Sequence, residues 1–200
     1  MFERLKLWEK LSLGFGGVLL LMLIMATVGL IQINAIKAIV VDIVKDRYPK
    51  IVLGNTSKEL TLDNAILIRS AILSDDSNEI ETLIRQAEGN RKTNNELLEK
   101  LDKVLVTETG KAAFAAIAES RKPLSAAYDK MYALLRENDD AKSVAYLKND
   151  FSPLNNTYIA ALQDLNKLIT AYMDKGEEEA LSVVSLVRST MLVSLALGTR

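Results

Sequence analysis

Between residues 34 and 188 the apolar positions recur in steps of three and four, with no alternating run bounded by hairpin turns. The pattern therefore predicts helices and no strands. A first helix is expected from Asn34 to Leu73, bending near "RYPK", where Pro49 removes a backbone donor. "SDDSNE" at 74–79 reads as a turn followed by a start: Ser77 as cap, Glu79 and Glu81 in the first turn. A second helix then runs to about Val106 on the stripe Ile80, Leu83, Ile84, Ala87, Leu97, Leu101 and Leu105. After a break at 107–113, a third helix reaches Arg136 on Phe114, Ile117, Arg121, Leu124, Tyr128, Met131 and Leu135, with Pro123 expected to kink or split it. The fourth starts near Ala141, bends at Pro153 and carries Phe151, Leu154, Tyr158, Leu162, Leu165, Ile169 and Tyr172. Four long helices with short connections predict an all-α, antiparallel up-down-up-down bundle. Its turns at 74–79 and 137–142 fall at one end and the 107–113 turn at the other.

Two apolar runs flank this region. Leu11 to Ile36 contains no charged residue, and its strongly apolar part, Leu11 to Ile31, would span about 31 Å as a helix, the thickness of a bilayer core. Arg4, Lys6 and Lys10 precede it with Trp8 beside them, which places residues 1–10 in the cytoplasm, a transmembrane helix at 11–33, and residues 34–188 on the far side. A cleaved signal peptide is the rival reading; it calls for an apolar stretch of only about 7–15 residues ending in a small-x-small site. After Arg188, "STMLVSLALG" is apolar up to the final two residues, so 189–200 reads as the start of a second membrane helix, with a fraying apolar end as the alternative.

Composition narrows the chemistry. The net charge is −1 and no basic stripe is visible, which argues against nucleic acid as a partner. The chain has neither cysteine nor histidine, removing thiolate and imidazole metal sites and His-activated nucleophiles, so no catalytic residue, metal or cofactor is expected. Asp75, Asp76, Asp139 and Asp140 pair at turns without the oxygen-ligand spacing of a calcium loop and read as helix caps. "GFGG" at 14–17 lies inside the apolar run, where helix packing accounts for it.

Two arginines interrupt the apolar stripes. Arg69 lies between Ile66 and Leu73 on one face of the first helix, and Arg121 occupies a seam position on the third. A charge there needs a counter-ion, water or an outward-snorkelling geometry; Asp63, Asp129 and Asp150 are available internal partners. With Tyr128, Tyr158 and Asn155 nearby in the pattern, the same guanidinium groups could instead hold a carboxylate ligand. Helical rise puts Arg69 about 9 Å below one distal turn and Arg121 about 22 Å below the other. Arg69 with Tyr128, Phe151 and Asn155 forms a distal set, whereas Arg121 falls nearer Tyr158, Asn94 or Asn95.

The chain resembles the N-terminal part of a bacterial methyl-accepting chemotaxis receptor with a four-helix-bundle periplasmic sensor. The likeness rests on "MFERLKLWEKLSLGFG", the apolar run after it, "NAILIRSAILSDD", "GKAAFAAIAESRKPLSAAYDKMYAL" and "LKNDFSPLNNTYIAALQDLNKLI". It implies an inner-membrane homodimer, a ligand site near the distal end, often at the dimer interface, and a cytoplasmic adaptor and histidine kinase as downstream partners. Arg69 resembles a family arginine that binds ligand carboxylate, and Phe151, Pro153 and Leu154 resemble the fourth-helix side of that pocket. Asn64 and Leu73 stand where amino-acid receptors carry further arginines, and Leu154 where a hydroxyl would help bind an α-amino acid. That departure turns the expected ligand toward a small organic or aromatic carboxylate. The sensor of a histidine kinase or cyclic-nucleotide enzyme, and a ligand-free membrane-anchored bundle, are the alternatives.

Overall fold

The computed structural model describes residues 6–198; Arg4 and Arg200 lie outside the described residues. The described residues contain six α-helices: α1 (Leu7–Asp42), α2 (Tyr48–Ile72), α3 (Ser77–Val104), α4 (Glu108–Arg136), α5 (Asp140–Tyr146) and α6 (Ser152–Gly198). They contain no strand. π-Helical turns at Ile43–Arg47 and Leu147–Phe151 link α1 to α2 and α5 to α6.

Each π turn lies just before a proline at the second position of the next helix, Pro49 or Pro153. Proline has no N–H to donate and its ring crowds the carbonyl four residues back; a widened turn accommodates both. These turns stand where the bends were expected. Pro123 behaves differently: α4 runs through it unbroken. Ile117 on one side of it and Leu124, Tyr128 and Met131 on the other are all buried, so core packing holds the helix across the missing hydrogen bond.

The helix ends are satisfied locally. Asp76, and not Ser77, caps α3 by accepting from the Asn78 N–H at 2.8 Å; Ser77 is the first helical residue. Thr107 accepts from Gly110 N–H at 3.1 Å and Asp139 from Lys142 N–H at 3.0 Å. Caps of this kind are worth about 0.5–2 kcal/mol each. The Lys142 side chain and N–H hold the Asp139 carboxyl below its usual range. Asn138 closes α4 in the left-handed region with φ 54°, a conformation that asparagine tolerates better than most residues.

Lys45–Tyr172 forms one compact unit. Its connections at 73–76, 105–107 and 137–139 are too short for anything but antiparallel neighbours, and α5 with the first part of α6 serves as the fourth helix of the bundle. Near the 73–76 and 137–139 turns the core is mostly apolar: Ile68, Ala71, Ile72, Ile80, Ile84 and Leu135 are buried, with Ser143 and Tyr132 the polar side chains buried among the neighbouring turns. Near the opposite end Leu98, Leu101, Leu105, Ile117, Leu165 and Ile169 are buried in turn. The expected α4 stripe is buried from Ile117 to Leu135 except at Arg121, which is half-buried. On α3 the buried residue is Leu98, with Leu97 half-exposed, and Tyr172 on α6 is exposed.

Among the described residues, 6–44 and 173–198 form the second unit. Within α1 an 18-residue window has mean hydropathy 2.4 and none of it is buried. By length and composition that helix can cross a membrane.

Candidate functional site

Midway along the bundle the buried face of α2 turns from apolar to small and polar, through Asn64, Thr61, Ser57 and Gly54. Ser57 Oγ donates to Asn94 Oδ1 of α3 at 2.5 Å, and Asn94 Nδ2 donates to Tyr158 Oη of α6 at 3.3 Å and to Thr61 Oγ1 at 3.4 Å. The Ser57 and Tyr158 hydroxyls are 3.3 Å apart, and Thr61 Oγ1 donates to the Ser57 carbonyl at 2.8 Å. These bonds make a polar belt that ties α2, α3 and α6 together. At Gly54 a Cβ would strike the Asn166 side chain, so glycine is what lets α6 bring that amide close to α2.

Beside this belt lies a cavity of about 50 Å³. Thr61, Asn64 and Tyr158, all deeply buried, form its floor on α2 and α6. The more exposed Arg91 and Asn95 of α3 and Arg121 and Ser125 of α4 form its rim, so the cavity opens between those two helices. Asn94, Leu124 and Tyr128 complete the walls. Arg121 donates to Asn95 Oδ1, and among the described residues it has no carboxylate within ion-pair range. Arg91 is occupied: it donates to Asp129 Oδ1 at 2.8 Å and Ser125 Oγ at 2.9 Å, with its guanidinium carbon 4.9 Å from the Tyr128 ring centre. Stacking on a tyrosine face stabilises the cation there.

Two residues of the cavity wall, only 3% and 4% exposed, carry a buried atom without a hydrogen bond, Asn64 Oδ1 and Tyr128 Oη, and neither atom is open to the cavity space. Leaving such atoms unsatisfied costs about 1–3 kcal/mol each. Burial pushes the Tyr128 phenol well above its ordinary value, against a weaker opposing pull from Asn64. Burial also raises Tyr158, opposed by Ser57 and Asn94, and pushes Tyr132 up to about 12. All three phenols therefore stay neutral at physiological pH. The cavity thus offers cationic donors at its rim and neutral donors and acceptors at its floor.

Four of the residues picked out in the sequence line the cavity: Asn64, Arg121, Tyr128 and Tyr158. Phe151 is buried behind it, edge-on to Tyr128 with ring centres 4.8 Å apart. Asn155 is buried with Oδ1 unsatisfied, away from the lining. Arg69 is not on the core seam. It lies on the exposed face of α2 with Ile66 (59% exposed) and Leu73 (85%), and donates to the Ala65 carbonyl at 3.1 Å. α2 carries apolar residues on two faces, and the core uses Ala65, Ile68, Ala71 and Ile72. The distal set around Arg69 does not assemble, whereas Arg121 does meet Tyr158, Asn94 and Asn95 around one cavity.

Arg91 was missed, although its signal is in the sequence. Ile80, Ile84, Ala87, Arg91, Asn94, Leu98, Leu101 and Leu105 alternate steps of four and three without interruption. Reading Leu97 in place of Leu98 breaks that register and hides Arg91.

A family model described as a four helix bundle sensory module for signal transduction matches residues 4–180. The chain belongs to this family. Its resemblance to the N-terminal sensory part of the methyl-accepting chemotaxis receptors rests on the same match. No curated protein matches the chain. The whole Lys45–Tyr172 unit of this sensory module, cavity included, lies inside the matched residues.

Proposed function

We propose that this sensory module is the periplasmic sensor of a transmembrane chemoreceptor in the bacterial inner membrane. Its ligand is a small organic carboxylate held in the cavity between α2, α3, α4 and α6. The observation that carries the reading is Arg121, a half-buried guanidinium with no carboxylate partner among the described residues, beside two buried polar atoms that lack hydrogen bonds. A carboxylate answers that arrangement, because a guanidinium binds it through two parallel hydrogen bonds. The apolar α1, with Lys6 and Trp8 at its start, supports an anchor whose N-terminus faces the cytoplasm and a periplasmic region at 34–188.

A ligand in the cavity would touch all four helices of the bundle, including α6 through Tyr158. Only a ligand with different affinity for two packings of those helices can shift the balance between them. α6 runs to Gly198, so a change in its packing is carried along one continuous helix toward the second apolar segment and, through it, to a cytoplasmic adaptor and histidine kinase. Calorimetric titration of the full chain in lipid nanodiscs against a panel of small carboxylates tests the reading. Arg121→Ala is expected to weaken binding about ten-fold or more, the loss of a charge-assisted pair; unchanged affinity removes the proposed site.

A second reading attaches to Arg69. Leu62, Ile66 and Leu73 are 43%, 59% and 85% exposed and, with Arg69, follow steps of four, three and four along α2. That is the spacing of a coiled-coil seam, which a second copy of the chain would cover in a homodimer. The chain has no cysteine, so Ile66→Cys provides a clean probe: oxidation is expected to link two copies, and a persistently monomeric product counts against the interface.

A further inference from the structure

The fourth helix of the bundle keeps residues on the core along its whole length, but their spacing changes part-way. After Asn155 the buried residues are Tyr158, Leu162, Leu165 and Ile169, in alternating steps of three and four. Before it they are Phe151 and Ser143, at steps that are multiples of four. An α-helix turns about 100° per residue, so in an unbroken one Ser143 would lie about 80° off the line of Phe151 and about 120° off that of Asn155. The π turn at Leu147–Phe151 takes one extra residue into the helix and brings Ser143 round to the core.

Without the π turn a different residue faces inward. Val144 then falls within about 20° of both Phe151 and Asn155. The structure therefore holds α5 one residue away from its apolar register: Ser143 is 1% exposed and Val144 50%. A serine inside and a valine outside is a local conflict between pattern and placement. The observed register has its own support, in the Lys130 ammonium 4.5 Å from the centre of the Tyr146 ring and in the Asp139 cap on the Lys142 N–H. Two packings of one short segment thus compete.

The surroundings fix the direction in which the π turn can travel. On the α6 side Pro153 lacks the N–H that a moved ladder would need. On the other side α5 is only seven residues long and ends at the 137–139 connection, which can take up the extra residue.

We propose that α5 is a two-register switch. The π turn runs out through the 137–139 connection, α5 rotates by about 100°, and Val144 replaces Ser143 on the core. Phe151, the last residue of the π turn, is edge-on to Tyr128 in the cavity wall, so the switch and the cavity share a side-chain contact. The switch does not depend on the chemistry of any ligand bound there.

The chain has no cysteine, so maleimide labelling of single-cysteine variants of the full chain in nanodiscs reports which residue reaches solvent. Ser143→Cys is expected to label at least about ten-fold faster than Ala87→Cys, an equally buried residue of α3 that the switch does not move. Equal rates mean a single register and overturn the proposal. Adding Val144→Ser to Ser143→Cys removes what the second register gains, so labelling is expected to slow several-fold. Simple fraying of α5 gives unchanged or faster labelling instead, and that result overturns the switch. Ser143→Lys combined with Val144→Cys drives position 143 outward and is expected to protect the cysteine about ten-fold relative to Val144→Cys alone. A cysteine that stays as reactive, or becomes more so, shows that the second packing does not exist.

Discussion

The distal end of the bundle and its middle are built from the same four helices on opposite principles. At the distal end α2 presents Ile68, Ala71 and Ile72 toward Ile80, Ile84 and Leu135, a set of purely apolar side chains, with the Tyr132 and Ser143 hydroxyls the polar exceptions nearby. About one to three turns along, the same face of α2 presents Asn64, Thr61 and Ser57 to Asn94 and Tyr158, and two buried polar atoms there lack partners. Apolar contact stabilises in proportion to the area it removes from water, so the distal end holds the helices together. A polar belt adds little net stability and makes the packing depend on what fills the remaining space. In the proposed sensor the first is the fixed part and the second the part whose packing a ligand could bias.

The largest test of this contrast is in the dry region. Ile84→Ala leaves a hole among side chains that cannot close over it and is expected to lower unfolding free energy by about 2–5 kcal/mol, read by chemical denaturation. A loss under about 1 kcal/mol would mean that the distal end is not the fixed part. Alkaline titration probes the buried phenols next. Tyr128, Tyr132 and Tyr158 ionise later in the folded chain than in the unfolded one, so the folded state holds more protons once pH passes about 10. Stability is therefore fully present below pH 10 and lost above it, by up to about 1.4 kcal/mol per pH unit for each phenol. Spectrophotometric titration in which all six tyrosines ionise together near pH 10 would contradict this.

Within the polar belt, two tyrosines separate satisfied from unsatisfied groups. Tyr158→Phe removes a hydroxyl bonded by Ser57 and Asn94 and is expected to cost about 1–2 kcal/mol in the ligand-free chain. Tyr128→Phe removes an unpaired one and with it the cost of burying it, so stability is expected to rise, by up to about 1–3 kcal/mol. Equal costs for the two would show that Tyr128 has a partner after all. The smallest effect lies outside both regions: Asn138→Gly relieves the left-handed conformation at the end of α4 and is expected to raise stability by a few tenths of a kcal/mol.

The bundle itself was legible from periodicity. Helix boundaries, the short connections and the buried α4 stripe all followed from steps of three and four, because those steps are how a helix buries one side. The site was legible only where that logic was unambiguous. On α4 a single apolar face exists, and Arg121 and Tyr128 were correctly placed on it. On α2 two faces compete: Ile66 and Leu73 advertise one and Ile68 and Ile72 the other. Only contact with α3 and the rest of the bundle decides between them, which is why Arg69 was read inward. On α3 a one-residue choice between Leu97 and Leu98 displaced the register by about 100° and moved Arg91 off the face it occupies. The π turns could be anticipated only as bends, since a proline marks where the hydrogen-bond ladder must yield and not how.

The proposed site puts the ligand inside the bundle, on Arg121, rather than outside it, on Arg69. The most direct measurement compares Arg121→Ala and Arg69→Ala, each in the full chain in nanodiscs, for calorimetric affinity toward the small carboxylate that the parent chain binds most tightly. Arg121→Ala is expected to lose roughly ten- to a hundred-fold and Arg69→Ala to change by less than about two-fold, the difference between losing and keeping a charge-assisted pair. A large loss with Arg69→Ala and none with Arg121→Ala would contradict the proposed site and move recognition to the outer face of α2.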